Sequence, residues 1–156
     1  MFLASFQNKI INIDQLQSCL AVSRMKNHKI VFTNGCFDVL HIGHLHTLCH
    51  ARALGNVLIV AVNSDSSVRR LKGASRPIHT EYNRMLLLAS MTCVDLVILF
   101  DEDTPYDLIK KIHPDVLVKG GDYKEDEVVG YDIAIKTVII PYLPGHSSST
   151  IIAKLD

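Results

Sequence analysis

The sequence predicts an α/β protein of three layers, with helices on both faces of a mostly parallel sheet of about five strands. Three observations carry this. Short apolar, β-branched runs recur at Ile30–Phe32, Asn56–Asn63, Val94–Phe100, Val116–Val118 and Thr137–Tyr142, the pattern of strands buried on both faces. Between them, apolar residues fall at helical spacing, as at Leu45, Leu48, Cys49 and Ala53. Strand and helix alternate, which makes βαβ units with right-handed crossovers and a Rossmann-like arrangement whose ligands sit at the carboxyl ends of the strands.

Composition bounds the rest. The 156 residues make one domain of ordinary size, 48% hydrophobic and 21% charged, as in a globular protein. Sixteen Lys and Arg balance sixteen Asp and Glu, so the overall charge points to neither a nucleic acid nor a membrane surface as partner, and any anion site must be local. The longest apolar runs are far short of the roughly 20 residues that span a bilayer. The amino end lacks the basic start and long apolar core of a secretory signal. Cys19, Cys36, Cys49 and Cys93 form no CxxC pair and no zinc spacing, so reduced thiols and a cytoplasmic location are expected.

Along the chain, Ile13, Leu16 and Leu20 form an apolar stripe, with Asp14 near its start, which makes residues 1–27 a docked helical extension of a domain spanning 28–156. The first strand runs into Thr33-Asn34-Gly35-Cys36-Phe37-Asp38-Val39-Leu40-His41-Ile42-Gly43-His44-Leu45-His46. Such a strand, loop and helix start leaves backbone N–H groups and the positive end of a helix dipole facing outwards, which suits a phosphate. Gly35 and Gly43 are where a side chain would hold that phosphate away. His41 and His44 are three apart, so in a helix starting near Ile42 their rings can converge and donate to charge developing on a transferring phosphoryl group. Cys36 reads as a small residue in a tight turn. His46 and His50, at i and i+4, have no third metal ligand in register and read as a solvated face.

The stretch from Ser64 to Thr80 reads as a long polar loop carrying Arg69, Arg70, Lys72 and Arg76, placed where cations could meet substrate phosphates. Arg84 follows on a helical pattern with Met85, Leu88, Ala89 and Thr92 towards the core. Asp101-Glu102-Asp103 is explained by a helix start, with Thr104 as N-cap and Pro105 in first position, more simply than by a metal site. Lys119-Gly120-Gly121-Asp122-Tyr123 lies at another carboxyl strand end, where paired glycines permit close approach and Asp122 can accept hydrogen bonds from a sugar or base. Residues 124–127 read as a surface turn or helix start. After Pro144-Gly145, the hydroxyls of Ser147, Ser148, Ser149 and Thr150 open a final helix, where they can cap it, bind a phosphate, or both.

Gly35-Cys36-Phe37-Asp38 followed by His41-Ile42-Gly43-His44 resembles the cytidylyltransferase-like nucleotidyltransferases, whose HxGH signature binds a nucleotide triphosphate. Val60 to Asp65, Arg70 to Gly73, Arg76-Pro77 and Val118 to Tyr123 narrow the resemblance to the adenylyltransferases that activate heptose 1-phosphate for lipopolysaccharide assembly. His146 is a departure, since such domains often carry cysteine there. The resemblance spans roughly residues 28 to 155 and lacks a fused sugar kinase, so a stand-alone form is expected.

The resemblance implies catalysis by His41, His44 and Lys72. It implies nucleotide or phosphate contacts from Thr33, Asn34, Gly35, Cys36, Phe37, Gly43, Arg84, Lys119, Gly121, Asp122 and Ser147 to Thr150, and substrate contacts from Asp38 and Arg76. ATP and a sugar phosphate are the expected substrates, in a homodimer. Magnesium is the expected cofactor, carried on the nucleotide phosphates with no dedicated protein cage. Two other readings stay open: a CTP-dependent cytidylyltransferase acting on glycerol 3-phosphate or another small alcohol phosphate, and a non-catalytic nucleotide-binding module.

Overall fold

The computed structural model describes residues 2–143, 145 and 148–152. It builds one six-stranded sheet, every pairing parallel, in the order β1-β4-β3-β2-β5-β6. The strands are β1 (Ile10–Ile11), β2 (Ile30–Gly35), β3 (Val57–Asn63), β4 (Leu96–Phe100), β5 (Val116–Gly120) and β6 (Lys136–Ile140). The expectation of about five strands misses β1, a two-residue edge strand that pairs Ile10 with Val97 and Ile11 with Ile98. Its brevity explains the miss: two residues carry no periodicity. The amino-terminal segment therefore adds a strand to the sheet, besides α1 (Phe2–Gln7) and α2 (Ile13–Met25).

Strand residues alternate between two apolar cores. Val31, Val60, Val62, Val97 and Val118 face Leu48 and Ala51 of α3 (Ile42–Arg52), and Met85, Leu88 and Ala89 of α5 (Glu81–Ala89). Ile30, Phe32, Ile59, Ala61 and Leu117 face Leu16 and Leu20 of α2, and Leu108, Ile109 and Ile112 of α6 (Tyr106–Ile112). The period of two in an extended chain thus sorts each strand's side chains between the helical layers. A capping box starts α2: the Asn12 side chain accepts from the Gln15 N–H and the Gln15 side chain from the Asn12 N–H, each at 2.9 Å.

Three local expectations are corrected. The stretch from Ser64 to Thr80 is not one loop, since residues 65–72 form α4 (Asp65–Lys72), capped by Ser64, whose Oγ accepts from the Ser67 N–H at 3.0 Å. Only Val68 and Leu71 are apolar in α4, so its helical period was hidden by polar residues on every other face. Thr104 does not cap α6; Pro105 holds that position without a side-chain hydrogen bond. The carboxylates before it turn to α4 instead: Asp101 accepts from the hydroxyls of Ser64 and Ser66, and Asp103 from Arg70 at 2.7 Å. Thr92 lies beyond the end of α5 and is exposed. Among the described residues, no helix is long and apolar enough to cross a membrane.

Candidate active site

β2 is the centre of the sheet, with β3 on one side and β5 on the other. The chain's crossovers leave it in opposite directions, so a crevice opens between the carboxyl ends of β2 and β5, the place where open α/β sheets bind ligands. A cleft of about 800 Å³ lies there, and its wall includes Gly35, His41, His44, Lys72, Lys119 and Ser148.

Local geometry explains the histidine pair. His41 is the N-cap of α3, with extended backbone, and its Nδ1 accepts the Gly43 N–H at 3.1 Å. An accepting Nδ1 leaves the proton of the neutral ring on Nε2, which makes that nitrogen a donor. One turn on, the His44 ring lies 3.9 Å from that of His41, centre to centre, and 5.3 Å from the Phe37 ring. Burial, then the nearby His41 and Lys72, push the His44 pKa down to about 4, so the ring is neutral at neutral pH. Its buried Nδ1 has no partner among the described residues. His44 is thus a neutral, largely desolvated hydrogen-bonding group beside His41 in the cleft wall.

Cations close the cleft from other elements. Lys72 ends α4 and is exposed. Lys119, on β5, lies 5.8 Å over the Tyr123 ring, and burial lowers its pKa against a smaller opposing pull from Cys36. Ser148 opens α7 (Ser148–Ile152) and donates to the Val39 carbonyl at 3.2 Å, seating this helix on the loop that carries His41. Thr150 lines the same cleft. Ser147 and His146 lie outside the described residues, as does the side chain of Ser149.

Thr33, Asn34, Cys36, Phe37 and Gly43 all line the cleft. Other expected contacts are placed elsewhere. Gly121 and Asp122 stand beside the wall: at φ +135° a Cβ on Gly121 would come within 2.8 Å of Tyr123 and 2.9 Å of Tyr142. Arg84 is fully buried behind the loop, donating to the carbonyls of Cys36 at 2.6 Å and His79 at 3.0 Å and to Asp65 at 2.8 Å. Asp38 lines the cleft but turns its carboxylate inwards to Arg76, Ile78 and His79. Arg70 is engaged by Asp103.

Sequence reasoning missed Thr47, Asn63 and Tyr142, which also line the cleft, whereas Gly120, one of the paired glycines expected to permit close approach, does line it. Thr47 follows His44 at the i+3 spacing that puts it on the same helix face, and Asn63 ends β3; both could have been found. No local pattern marks Tyr142.

The family model of cytidylyltransferase-like proteins matches residues 32–154. The chain belongs to the cytidylyltransferase-like family. Membership places it among the nucleotidyltransferases, as the string from Gly35 to His44 leads one to expect. It is 54% identical over 150 residues to the bifunctional protein HldE of Helicobacter hepaticus, covering 96% of this chain and 31% of that protein. Against the HldE of Campylobacter jejuni subsp. jejuni serotype O:2 it is 50% identical over 150 residues, covering 96% and 32%. The chain thus spans about a third of the length of these curated relatives. Among solved structures, it is similar to a lipopolysaccharide core biosynthesis protein from Thermoplasma volcanium (TM-score 0.64, 30% identity, 74% of this chain and 98% of that one). A pantoate-beta-alanine ligase from Francisella tularensis shares the fold (TM-score 0.64, 19% identity, 90% and 68% covered).

Proposed function

We propose that this cytidylyltransferase-like protein transfers the adenylyl group of ATP to D-glycero-β-D-manno-heptose 1-phosphate, giving ADP-heptose and pyrophosphate for glycan assembly. The observation that carries this reading is one cleft, at the switch point of the sheet, that gathers both histidines, Lys72, Lys119 and the hydroxyl-bearing start of α7. The HldE relatives, and the resemblance of Val118 to Tyr123 to heptose 1-phosphate adenylyltransferases, support the sugar.

The sugar phosphate attacks the α-phosphorus of ATP in line, and pyrophosphate leaves. A phosphate monoester has a second pKa of about 6, so the nucleophile is largely ionised at neutral pH and needs no activating base. The protein's task is to hold two anions together and stabilise the charge spread over the transferring group. His41 Nε2–H and the His44 ring do so by hydrogen bonding, Lys72 and Lys119 by charge, and Ser148 and Thr150 by positioning the phosphates.

Magnesium would offset phosphate charge from its place on the nucleotide. The cleft's donor set fits an ion carried that way, because its carboxylates are already engaged: Asp38 by Arg76, Asp103 by Arg70 and Glu127 by the Lys124 N–H.

Mass spectrometry of the products from ATP or CTP, each offered with heptose 1-phosphate or glycerol 3-phosphate, tests the reading. ADP-heptose with matching pyrophosphate release is the expected result. A CDP-alcohol made faster would overturn it in favour of the cytidylyltransferase, and binding of nucleotide without turnover in favour of a non-catalytic module.

A further inference from the structure

Residues 76–79 are held by a set of part-buried polar contacts that the proposed chemistry does not use, although the buried Nη2 of Arg76 has no partner among the described residues. The Asp38 side chain, three residues before His41, is 0% exposed. One of its oxygens accepts the N–H groups of Ile78 at 2.7 Å and His79 at 2.9 Å, and the other accepts Arg76 Nε–H at 2.5 Å. From the far side, Arg84 gives Nε–H to the His79 carbonyl and Nη1–H to the Cys36 carbonyl. His79 is thus gripped at its N–H by a carboxylate and at its C=O by a guanidinium. That guanidinium returns to the loop from which Asp38 projects. Its third arm reaches Asp65 in the first turn of α4, the helix that ends at Lys72.

Burying these charges is not in itself a route to stability, because desolvation offsets much of what the pairing returns. What the contacts do achieve is geometry. Together, the Asp38 contacts tie the loop before the histidines to the chain after Lys72, and Arg84 links the same loop, through Cys36, to Asp65 in the helix that ends at Lys72. We propose that Asp38 and Arg84 are positioning residues, whose circuit through His79 sets the distance between the His41 and His44 rings and Lys72 so that both close on the same phosphoryl group. This rests on the adenylyl-transfer reading above. It also replaces a direct substrate contact for Asp38, whose oxygens are taken up by three donors within the protein.

The test uses Asp38→Asn and the double variant Asp38→Asn with Arg76→Gln, which keeps a hydrogen-bonding pair without leaving a buried cation unpaired. Two measurements are made on folded protein: kcat and KM for each substrate, and the NMR titration of the His44 ring without ligand. Positioning predicts that kcat falls by about 10- to 100-fold, the scale of a 1 Å misplacement, while KM changes less. It also predicts that the His44 pKa rises from about 4, since Lys72, one of the groups that depress it along with burial and His41, recedes. Loss of the Asp38 charge from an intact frame could not raise it, because removing a nearby anion lowers an imidazole pKa. Wild-type kcat in a folded variant overturns the proposal. So does an unmoved His44 with a raised KM for the sugar phosphate alone, which would return Asp38 to the substrate. If the wild-type protein transfers no nucleotide, the proposed function fails, and the His44 titration still decides whether the circuit sets the spacing.

Discussion

His44 is held neutral by burial and by two cationic or ionisable neighbours, so its value lies in hydrogen bonding to charge that develops during the reaction. Replacing His44 with Ala removes one such donor, and turnover is expected to fall by about 10² to 10³. Steady-state kinetics alongside circular dichroism checks this; a folded variant with undiminished turnover would refute the role. Lys72 is different in kind. It is exposed at a helix end, and nothing among the described hydrogen bonds and ion pairs ties its ammonium to the protein. Lys72→Ala should therefore weaken use of both substrates while leaving the melting temperature almost unchanged. Parallel losses of activity and melting temperature would show that the lysine serves the fold.

At the scale of elements, α4 is the part most dependent on its cap. Ser64 closes its first turn through the Ser67 N–H and also donates to Asp101, so one hydroxyl ties the helix to the end of β4. Ser64→Ala should cost about 1 kcal/mol for the cap, while exposed Asp101 keeps the Ser66 hydroxyl. Urea unfolding measures this, and kinetics should show Lys72 losing effect because its helix is loosened. An unchanged midpoint would mean that the other contacts of α4, among them buried Val68, Arg70–Asp103 and Arg84–Asp65, suffice to hold it. The helix α3 carries the opposite lesson. His41 is both its N-cap and a cleft residue, so the same atom, Nδ1, that starts the helix also directs the ring's other nitrogen for chemistry.

For the whole molecule, the cleft's burial makes stability depend on pH. The His44 pKa is about 4 in the fold against an ordinary 6.5, so below 6.5 the unfolded chain takes up a proton that the folded one refuses. Stability from this group is complete above pH 6.5 and is lost as pH falls towards 4. Asp38 acts at lower pH. Burial alone would raise its pKa, but the His79 N–H, Arg76 and the Ile78 N–H outweigh it and hold the carboxylate below 3.8, so its contribution disappears only as pH falls through that lowered value. Thermal melts of ligand-free protein from pH 7 to 4 should show a decline that His44→Ala flattens. Equal slopes for the two proteins would rule His44 out as the cause.

The sequence by itself determined the alternation of strands and helices, the strand-loop-helix junction from Thr33 to His46, and the pairing of His41 with His44. Each of these is local: a period of two or of three to four, a cap, a glycine. Polar α4, with two apolar residues, and β1, with two residues in all, fall below what periodicity can register. Only the tertiary structure decided which candidates face the cleft and which stand behind it. Asp38 and Arg84 reach partners 41 and 48 residues away in the chain, and such contacts leave no trace in spacing. Whether a charged side chain meets a ligand or a backbone group depends on which distant segment folds against it, and that is settled by the packing of the sheet and its helices.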